Sequence, residues 1–253
     1  MSSTTVPTQQ QTPASVSSFG RVFGALFDPK PTFESIAQRP SWVWPLLILI
    51  VLSTVIIALV GQRVGWRQVI EKQIANSPSA QQRMEQLPPE QRQRVMETQT
   101  KYAAVFGYVS VILYLTVGPV VVAALLLAIF NVIGGAKVGF STSLGIVAHS
   151  WMPYAISALL GIVILFIKDP TTIDVQNLVA SNPGALLAEG SPKWLVALLT
   201  SLDLFTFWAL LLEAIGYRAT NPKKISFGMA LGCVVGLWIL WVFVKVGFAA
   251  AFS

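Results

Sequence analysis

Long apolar blocks alternate with polar connections over most of the chain. An α-helix needs about 20 apolar residues to cross the hydrocarbon core of a bilayer. By that length the pattern predicts transmembrane helices at about residues 43–62, 102–133, 140–167, 194–217 and 225–252. We therefore expect an all-α integral membrane protein, a bundle of five transmembrane helices.

The polar segments predict the rest of the organisation. Residues 1–17 are rich in Ser, Thr, Gln and Pro and carry no charged side chain, which predicts a disordered N-terminal tail. We expect residues 18–253 to form a single membrane domain. Within it, residues 63–101 are polar and carry charges of both signs, so they are predicted to be a polar helical connection. Its second helix, from Pro89, can run without a break into the second span.

The stretch Phe27–Pro45 leads from the tail into the first span. Pro29 and Pro31 favour the first turn of a short helix, because proline fixes φ and the first turn leaves its N–H groups unpaired anyway. Trp42 and Trp44 precede the apolar block, and tryptophan at that place is typical of the headgroup layer. These residues predict a surface helix that turns the chain into the membrane.

An apolar stripe at helical spacing lies just before this stretch. Its members are Phe19, Val22, Phe23, Leu26 and Phe27. The stripe predicts an N-terminal interfacial helix. The alternative is a helix that packs against the protein's own spans, and the two interpretations are compatible with each other.

Composition excludes a soluble fold. The chain is 54% hydrophobic and only 11% charged, whereas soluble domains carry about 25% charged residues. The net charge of +6 does not indicate nucleic-acid binding, because the basic residues are scattered between apolar blocks, where they would meet lipid headgroups. A single cysteine, Cys233, and a single histidine argue against a disulfide and against a metal cluster. No cofactor is predicted.

Lysine and arginine near the spans set the expected orientation. Short basic connections remain in the cytoplasm. The turn with Lys137, the turn with Lys223 and Lys224, and the N-terminal segment fall on one side of a five-span protein. We therefore expect the N-terminus in the cytoplasm and the C-terminus on the opposite side, although the basic residues of 63–101 count against this orientation.

Four ionisable residues interrupt the spans: His149, Asp203, Glu213 and Lys245. A charge in the hydrocarbon costs about 2.5 to 3.5 kcal/mol on insertion scales, so each requires a partner, a cavity or a position near the surface. Similar depth predicts an Asp203–Lys245 pair or a shared polar network. Glu213 could contact His149, or equally reach the interface or Arg218. The favoured interpretation is internal pairing that fixes helix register, and the alternative is a proton or ion path.

Three glycines of the fifth span, Gly228, Gly232 and Gly236, lie four residues apart and share nearly one helix face. Such a face permits close approach of another helix. Packing within the bundle is the favoured interpretation, and an interface with another chain is the alternative. The sequence contains no motif typical of a nucleophile, a catalytic carboxylate pair or a zinc protease, so no catalytic residue is predicted and the protein is not expected to be an enzyme.

The chain resembles the YIP family, the Ypt/Rab-interacting membrane proteins. The similarity is carried by residues 26–34, 39–42 and Pro45 before the first span, and by residues 139–141 and 151–153 in the third. The first of these stretches is most similar to bacterial members. The resemblance implies five spans, a cytosolic N-terminus and no known enzymatic activity. Eukaryotic members associate with small GTPases, and only family analogy would extend that association to this chain.

The resemblance and the residues together favour a non-enzymatic scaffold or adaptor in a bacterial inner membrane. Its expected partners are the lipid bilayer and either other membrane proteins or a second copy of the chain, with no nucleic acid. The alternative function is a small transporter or channel component that uses His149, Asp203, Glu213 and Lys245.

Overall fold

A computed structural model describes residues 17–188 and 190–251. The predicted tail, apart from Ser17, and the last residue of the predicted fifth span lie outside these ranges. The described residues form helices, turns and loops and contain no β-strand. Eleven α-helices follow one another in them: α1 (Gly20–Phe27), α2 (Pro29–Gln38), α3 (Val43–Leu59), α4 (Trp66–Ala75), α5 (Pro78–Glu85), α6 (Pro89–Val132), α7 (Phe140–Ser150), α8 (Pro153–Ile167), α9 (Lys193–Ser201), α10 (Leu204–Thr220) and α11 (Phe227–Ala251).

Four helical segments within the described ranges are long and apolar enough to cross a membrane. They are Val43–Val64, Pro89–Val132, Phe140–Ile167 and Phe227–Ala251. Helices α9 and α10 pass the same test only as a pair, bent by 49°. The prediction of an all-α multi-pass membrane protein is confirmed, with four spans, or five when the bent pair is one span.

Helix α6 joins the polar connection to the second span. It is 44 residues long, so at 1.5 Å per residue it measures about 66 Å, roughly twice the thickness of the hydrocarbon core. The helix is therefore longer than one crossing requires, and its polar residues 89–101 suit a position beyond the bilayer. Helix α4 packs against α6. The expected continuity from Pro89 into the second span is confirmed.

The end of α3 is tied to the end of α8. A π-helical turn, Val60–Val64, follows α3, and Gly65 then adopts a φ of +84°, a conformation that favours glycine. Arg63 donates hydrogen bonds to the carbonyls of Leu165 and Phe166 at 3.3 and 3.2 Å. This arginine satisfies carbonyls that the last turn of α8 leaves without helical partners.

Helices α1 and α2 form an N-terminal helix pair that folds onto the bundle. A Cβ atom at Gly24 would lie 2.4 Å from Thr32 Oγ1, so glycine allows the two helices to approach closely. On the other side of α2, Phe33 and Ile36 are 0% exposed and pack against α7 and α10. The interpretation of a helix packed on the protein's own spans concerns the apolar stripe of α1, and it is confirmed there, because α1 contacts α7.

Helix α1 presents its other face outward. Phe19, Phe23 and Phe27 are exposed, whereas Val22 and Ala25 are buried. The exposed aromatic residues are compatible with the interfacial position that the sequence predicts, and that position stays a prediction.

Candidate functional site

Asp203 stabilises the helix break between α9 and α10. Its Oδ1 accepts hydrogen bonds from the backbone N–H groups of Phe205 and Thr206 at 2.9 and 3.1 Å. Aspartate is a preferred N-cap because its carboxylate satisfies donors that the first turn leaves unpaired. Ser181, from the loop before α9, donates its hydroxyl to Oδ2 of Asp203 and accepts the N–H of Leu204 on its carbonyl. The predicted span 194–217 is therefore two helices joined at a capped break.

A cleft of about 350 Å³ opens beside this break. The side of α8 that faces it carries Tyr154, Ser157 and Gly161, and the opposite wall comes from residues 175–182. The Tyr154 hydroxyl donates to Thr206 Oγ1 at 3.2 Å, and so links α8 to the first turn of α10. Because both oxygens of the Asp203 carboxylate already accept hydrogen bonds, this group is placed to hold the break rather than to act as a base.

Lys245 of α11 approaches the same break from the other side. Its Nζ donates to Thr200 Oγ1 at 3.3 Å and to Ser201 Oγ at 3.0 Å. These hydroxyls themselves donate to carbonyls one turn back, at Val196 and Ala197, so their lone pairs are available to an ammonium group. The end of α9 thus supplies a neutral, oxygen-rich site for the lysine.

The predicted Asp203–Lys245 ion pair is wrong, and the alternative of a shared polar network is wrong too, because the two side chains have no common hydrogen-bond partner among the described residues. No salt bridge joins the two side chains, and the single ion pair formed among the described residues is Arg67–Glu71. The sequence argument compared depths along straight helices. The break turns Asp203 toward Ser181, and the last turn of α9 presents Thr200 and Ser201 to the lysine instead.

Glu213 lies deeper in α10, with 4% of its surface exposed. The indole Nε1 of Trp151 donates to its Oε1 at 3.3 Å. The alternatives in which Glu213 reaches the interface, His149 or Arg218 are therefore wrong, because the carboxylate is enclosed and neither a hydrogen bond nor a salt bridge joins it to either side chain. Sequence reasoning missed Trp151, although an indole N–H inside an apolar span requires an acceptor.

His149 is fully buried in α7. Its Nδ1 donates to the carbonyl of Gly145 at 2.8 Å, and its Nε2 has no partner within the described part of the chain. The structure thus leaves His149 apart from the other three ionisable groups. Asp203 and Lys245 lie on either side of the helix break without contact, and Glu213 is bound by Trp151.

A second polar contact joins three helices, and no motif in the sequence indicates it. The hydroxyls of Ser143 in α7 and Tyr217 in α10 are hydrogen-bonded, and Ser143 also donates to the carbonyl of Ala123 in α6 at 2.7 Å. The Tyr217 ring stacks on Phe130, with 4.2 Å between centroids. These buried bonds fix the relative positions of α6, α7 and α10.

The three glycines of α11 face outward. Gly228, Gly232 and Gly236 are exposed, and a Cβ atom built on any of them would meet nothing within 4 Å. Helix α11 instead packs inward through Ala230, Val234 and other residues on its opposite side. Packing of the glycine face within the bundle, the interpretation favoured above, is wrong for the described residues, and a contact with another chain stays a prediction.

The structure offers no metal centre within the described ranges, where no group of three or more His, Cys, Asp and Glu side chains could hold an ion. Asp203, Glu213 and Lys245 bond to uncharged groups of neighbouring helices and loops, whereas His149 Nε2 has no partner within the described ranges. The fold and these interior contacts define an integral membrane protein of the all-α, multi-pass class.

Comparison with known proteins identifies the family within this class. Residues 23–247 match the family model for the Yip1 domain, from the N-terminal helix pair to the last turns of α11. The chain belongs to the Yip1 domain family. No curated protein and no solved structure matches it.

Proposed function

We propose that this protein is a non-enzymatic scaffold or adaptor that joins other membrane proteins, or copies of itself, within a bilayer. Membership of the Yip1 domain family supports a role in the membrane. The ionisable side chains of the spans support a structural role, because Asp203, Glu213 and Lys245 each contact uncharged groups that hold helices in place.

The observation that carries the proposal is the outward glycine face of α11. Helices associate in membranes through small residues that let two backbones approach, since lipid offers no hydrophobic driving force. Gly228, Gly232 and Gly236 present such a face to the surroundings, with open space in front of each. A helix of a partner or of a second copy would fit against this face.

Single-cysteine crosslinking tests the contact. Cys233→Ser removes the one cysteine of the sequence. In that background Gly232→Cys places a thiol on the glycine face, and Val244→Cys places one on a different exposed part of α11, where Val244 is 55% exposed. We expect oxidation in native membranes to link Gly232→Cys into a dimer and to leave Val244→Cys monomeric.

A photoreactive residue at position 232 extends the test to other proteins, with position 244 as the matched control. An adduct to a membrane protein at 232 and none at 244 supports an adaptor. If position 232 gives neither a dimer nor any protein adduct, the proposed scaffold has no contact surface here and the proposal fails. Ion flux into liposomes should be the same for Asp203→Asn as for wild type, because the proposal assigns Asp203 no transport role.

We place the protein in a bacterial inner membrane, with its N-terminus in the cytoplasm and its C-terminus on the opposite side. The similarity of residues 26–34 to bacterial members supports the membrane, and the basic turns at Lys137 and at Lys223 and Lys224 support the orientation.

A further inference from the structure

The cleft beside the helix break lies alongside the membrane-spanning part of α8. Its lining residues on that helix, Tyr154, Ser157 and Gly161, share one side of α8. At 1.5 Å per residue they lie about 9 to 20 Å from the C-terminal end of the helix. The opposite wall, residues 175–182, contains neither helix nor strand. Leu178 of this wall packs on α8, where a Cβ atom at Gly161 would lie 2.9 Å from Leu178 Cδ2. Irregular backbone thus lies beside a transmembrane helix.

Such backbone requires either protein or water around its polar groups, because lipid offers them no hydrogen bonds. The cleft has a volume of about 350 Å³, so protein does not fill this side of the wall. Two polar side chains of the lining, those of Ser157 and Gln176, make no hydrogen bond to any residue that the structure describes. These features indicate a water-filled cleft, entered from the surface that carries the loop between α8 and α9.

Tyr154 marks the end of the cleft farthest from that surface. Its hydroxyl donates to Thr206 at 3.2 Å, and its ring meets the Trp151 ring edge-on, with 6.0 Å between centroids. Trp151 in turn donates to the buried carboxylate of Glu213. These contacts join α8 to α10 behind the cleft, so the cleft is a binding recess rather than a path across the bilayer.

Asp203 is the one charged side chain among the described residues that line the cleft. A carboxylate offers about four lone-pair positions. The N–H groups of Phe205 and Thr206 occupy two on Oδ1, and the Ser181 hydroxyl occupies one on Oδ2. One position on Oδ2 remains for a donor. The α10 N-terminus offsets about half of the negative charge, so the cleft still favours a cation. Lys245 does not line it.

The size and lining of the cleft favour an organic cation over a bare metal ion. Sites for small molecules have volumes of about 300 to 1,000 Å³, and this cleft lies within that range. Ile56 and Leu178 supply an apolar wall for a short hydrocarbon stem. A primary ammonium has about three N–H donors. Asp203 Oδ2 can accept one of them, and the oxygens of Ser157 and Gln176 can accept the others.

We propose that the cleft beside Asp203 binds a small organic cation through its primary ammonium group. The ammonium would donate to Asp203 Oδ2, and the stem would lie against the apolar wall. A free amine and the ethanolamine headgroup of a lipid both present this group. The site is separate from the glycine face of α11, so it stands independently of the contact proposed there.

Thiol labelling in phosphatidylcholine nanodiscs, where both faces of the bilayer are accessible, tests water access. In the Cys233→Ser background, Ser157→Cys places a thiol in the cleft. Leu159→Cys is the matched control, because Leu159 is 52% exposed and lies about 3 Å farther along α8 and about 200° around it. Methanethiosulfonate reagents react with thiolate, which forms in water rather than in lipid. We expect labelling of Ser157→Cys and none of Leu159→Cys. An unlabelled Ser157→Cys would overturn the proposal.

Reagents of opposite charge test the sign of the site. The rates of a trimethylammonium and a sulfonate reagent with Ser157→Cys are each divided by that reagent's rate with a small thiol in solution. We expect the cationic reagent to be favoured by about ten-fold or more, because a unit charge acts strongly in a partly enclosed site. Asp203→Asn keeps the cap acceptor and should abolish most of this preference. Asp174→Asn, at an exposed acid of the same loop, should change it by about two-fold at most. Equal normalised rates, or a preference unchanged in Asp203→Asn, would contradict the site.

Protection from labelling by uncharged N-ethylmaleimide identifies the ammonium. Ethanolamine and ethylene glycol are similar in size, and only ethanolamine carries an ammonium at neutral pH. We expect ethanolamine to slow labelling of Ser157→Cys saturably, with an apparent Kd in the millimolar range. Ethylene glycol, and sodium chloride at equal ionic strength, should not slow it.

A second set of nanodiscs, which includes phosphatidylethanolamine, separates the two sources of the ammonium. Protection by ethanolamine assigns the site to a free amine, and protection by phosphatidylethanolamine alone assigns it to a lipid headgroup. Either protection should be lost in Asp203→Asn. Protection by neither compound, or equal protection by ethylene glycol, would overturn the proposal.

Discussion

The two ends of the bundle are stabilised by different interactions. At one end the N-terminal helix pair lies on α7 and α10, and Phe33 and Ile36 are sealed in an apolar core. At the other end the chain breaks between α9 and α10, and the break is held by the carboxylate of Asp203 beside a polar cleft. Close apolar packing stabilises the first end and hydrogen bonds stabilise the second, so substitutions should affect them by different mechanisms.

The largest expected effect is at the packed end. Phe33→Ala removes a ring that is 0% exposed, and truncation of a buried aromatic costs about 3 to 5 kcal/mol, because it loses contacts and leaves a cavity. Phe27→Ala is the matched control, since Phe27 is 77% exposed and should change stability little. Unfolding by denaturing detergent, followed by circular dichroism, measures both. Equal stability of the two variants would show that α2 does not pack as described.

A smaller effect is expected from overpacking at the same end. A Cβ atom at Gly216 would lie 2.4 Å from Ile146 Cγ2 and 2.9 Å from Phe33 Cδ1. Gly216→Ala should therefore destabilise the protein by about 1 to 3 kcal/mol relative to Gly107→Ala in α6, whose new methyl group would lie 3.4 Å from Ile57 Cγ2, an ordinary contact. Both changes gain the same helix propensity, so the difference between them reports the clash alone. A thermal melting curve of each variant in one detergent measures this difference in stability. Coincident curves would contradict the close approach of α2 and α10.

The smallest effect is expected at the helix break. Asp203→Ala removes the N-cap of α10 and should cost about 1 kcal/mol, whereas Asp203→Asn keeps an acceptor oxygen and should cost less. The pair separates capping from charge, because both variants lose the carboxylate charge. Hydrogen exchange of the Phe205 and Thr206 amides gives a local readout. If the two variants exchange alike, the break is not held by a cap.

The sequence predicted the features that depend on local pattern. The apolar blocks identified the helices of the membrane class, and the residues before the first span identified the family. Pro29 begins α2, and Pro89 begins the helix that continues into the second span. Each of these depends on short-range spacing, which a single sequence displays.

The sequence could not predict features that depend on distant partners. The break at Asp203 lies inside an apolar block and requires Ser181, which is 22 positions away, to complete it. The partners of Lys245 are hydroxyls of α9 that a straight span would have turned elsewhere. The outward direction of Gly232 depends on which side of α11 the other helices occupy, and the glycine spacing contains no information on that.

The central claim is that the bent pair α9–α10 crosses the bilayer as one span, which makes five crossings. Fusing a reporter of cytoplasmic or external location to each end of the full-length protein tests this most directly, because an odd number of crossings separates the two ends. We predict a cytoplasmic signal at the N-terminus and an external signal at the C-terminus. Both reporters on the same side of the membrane would mean four crossings, and would contradict the account of the helix break as the interior of a span.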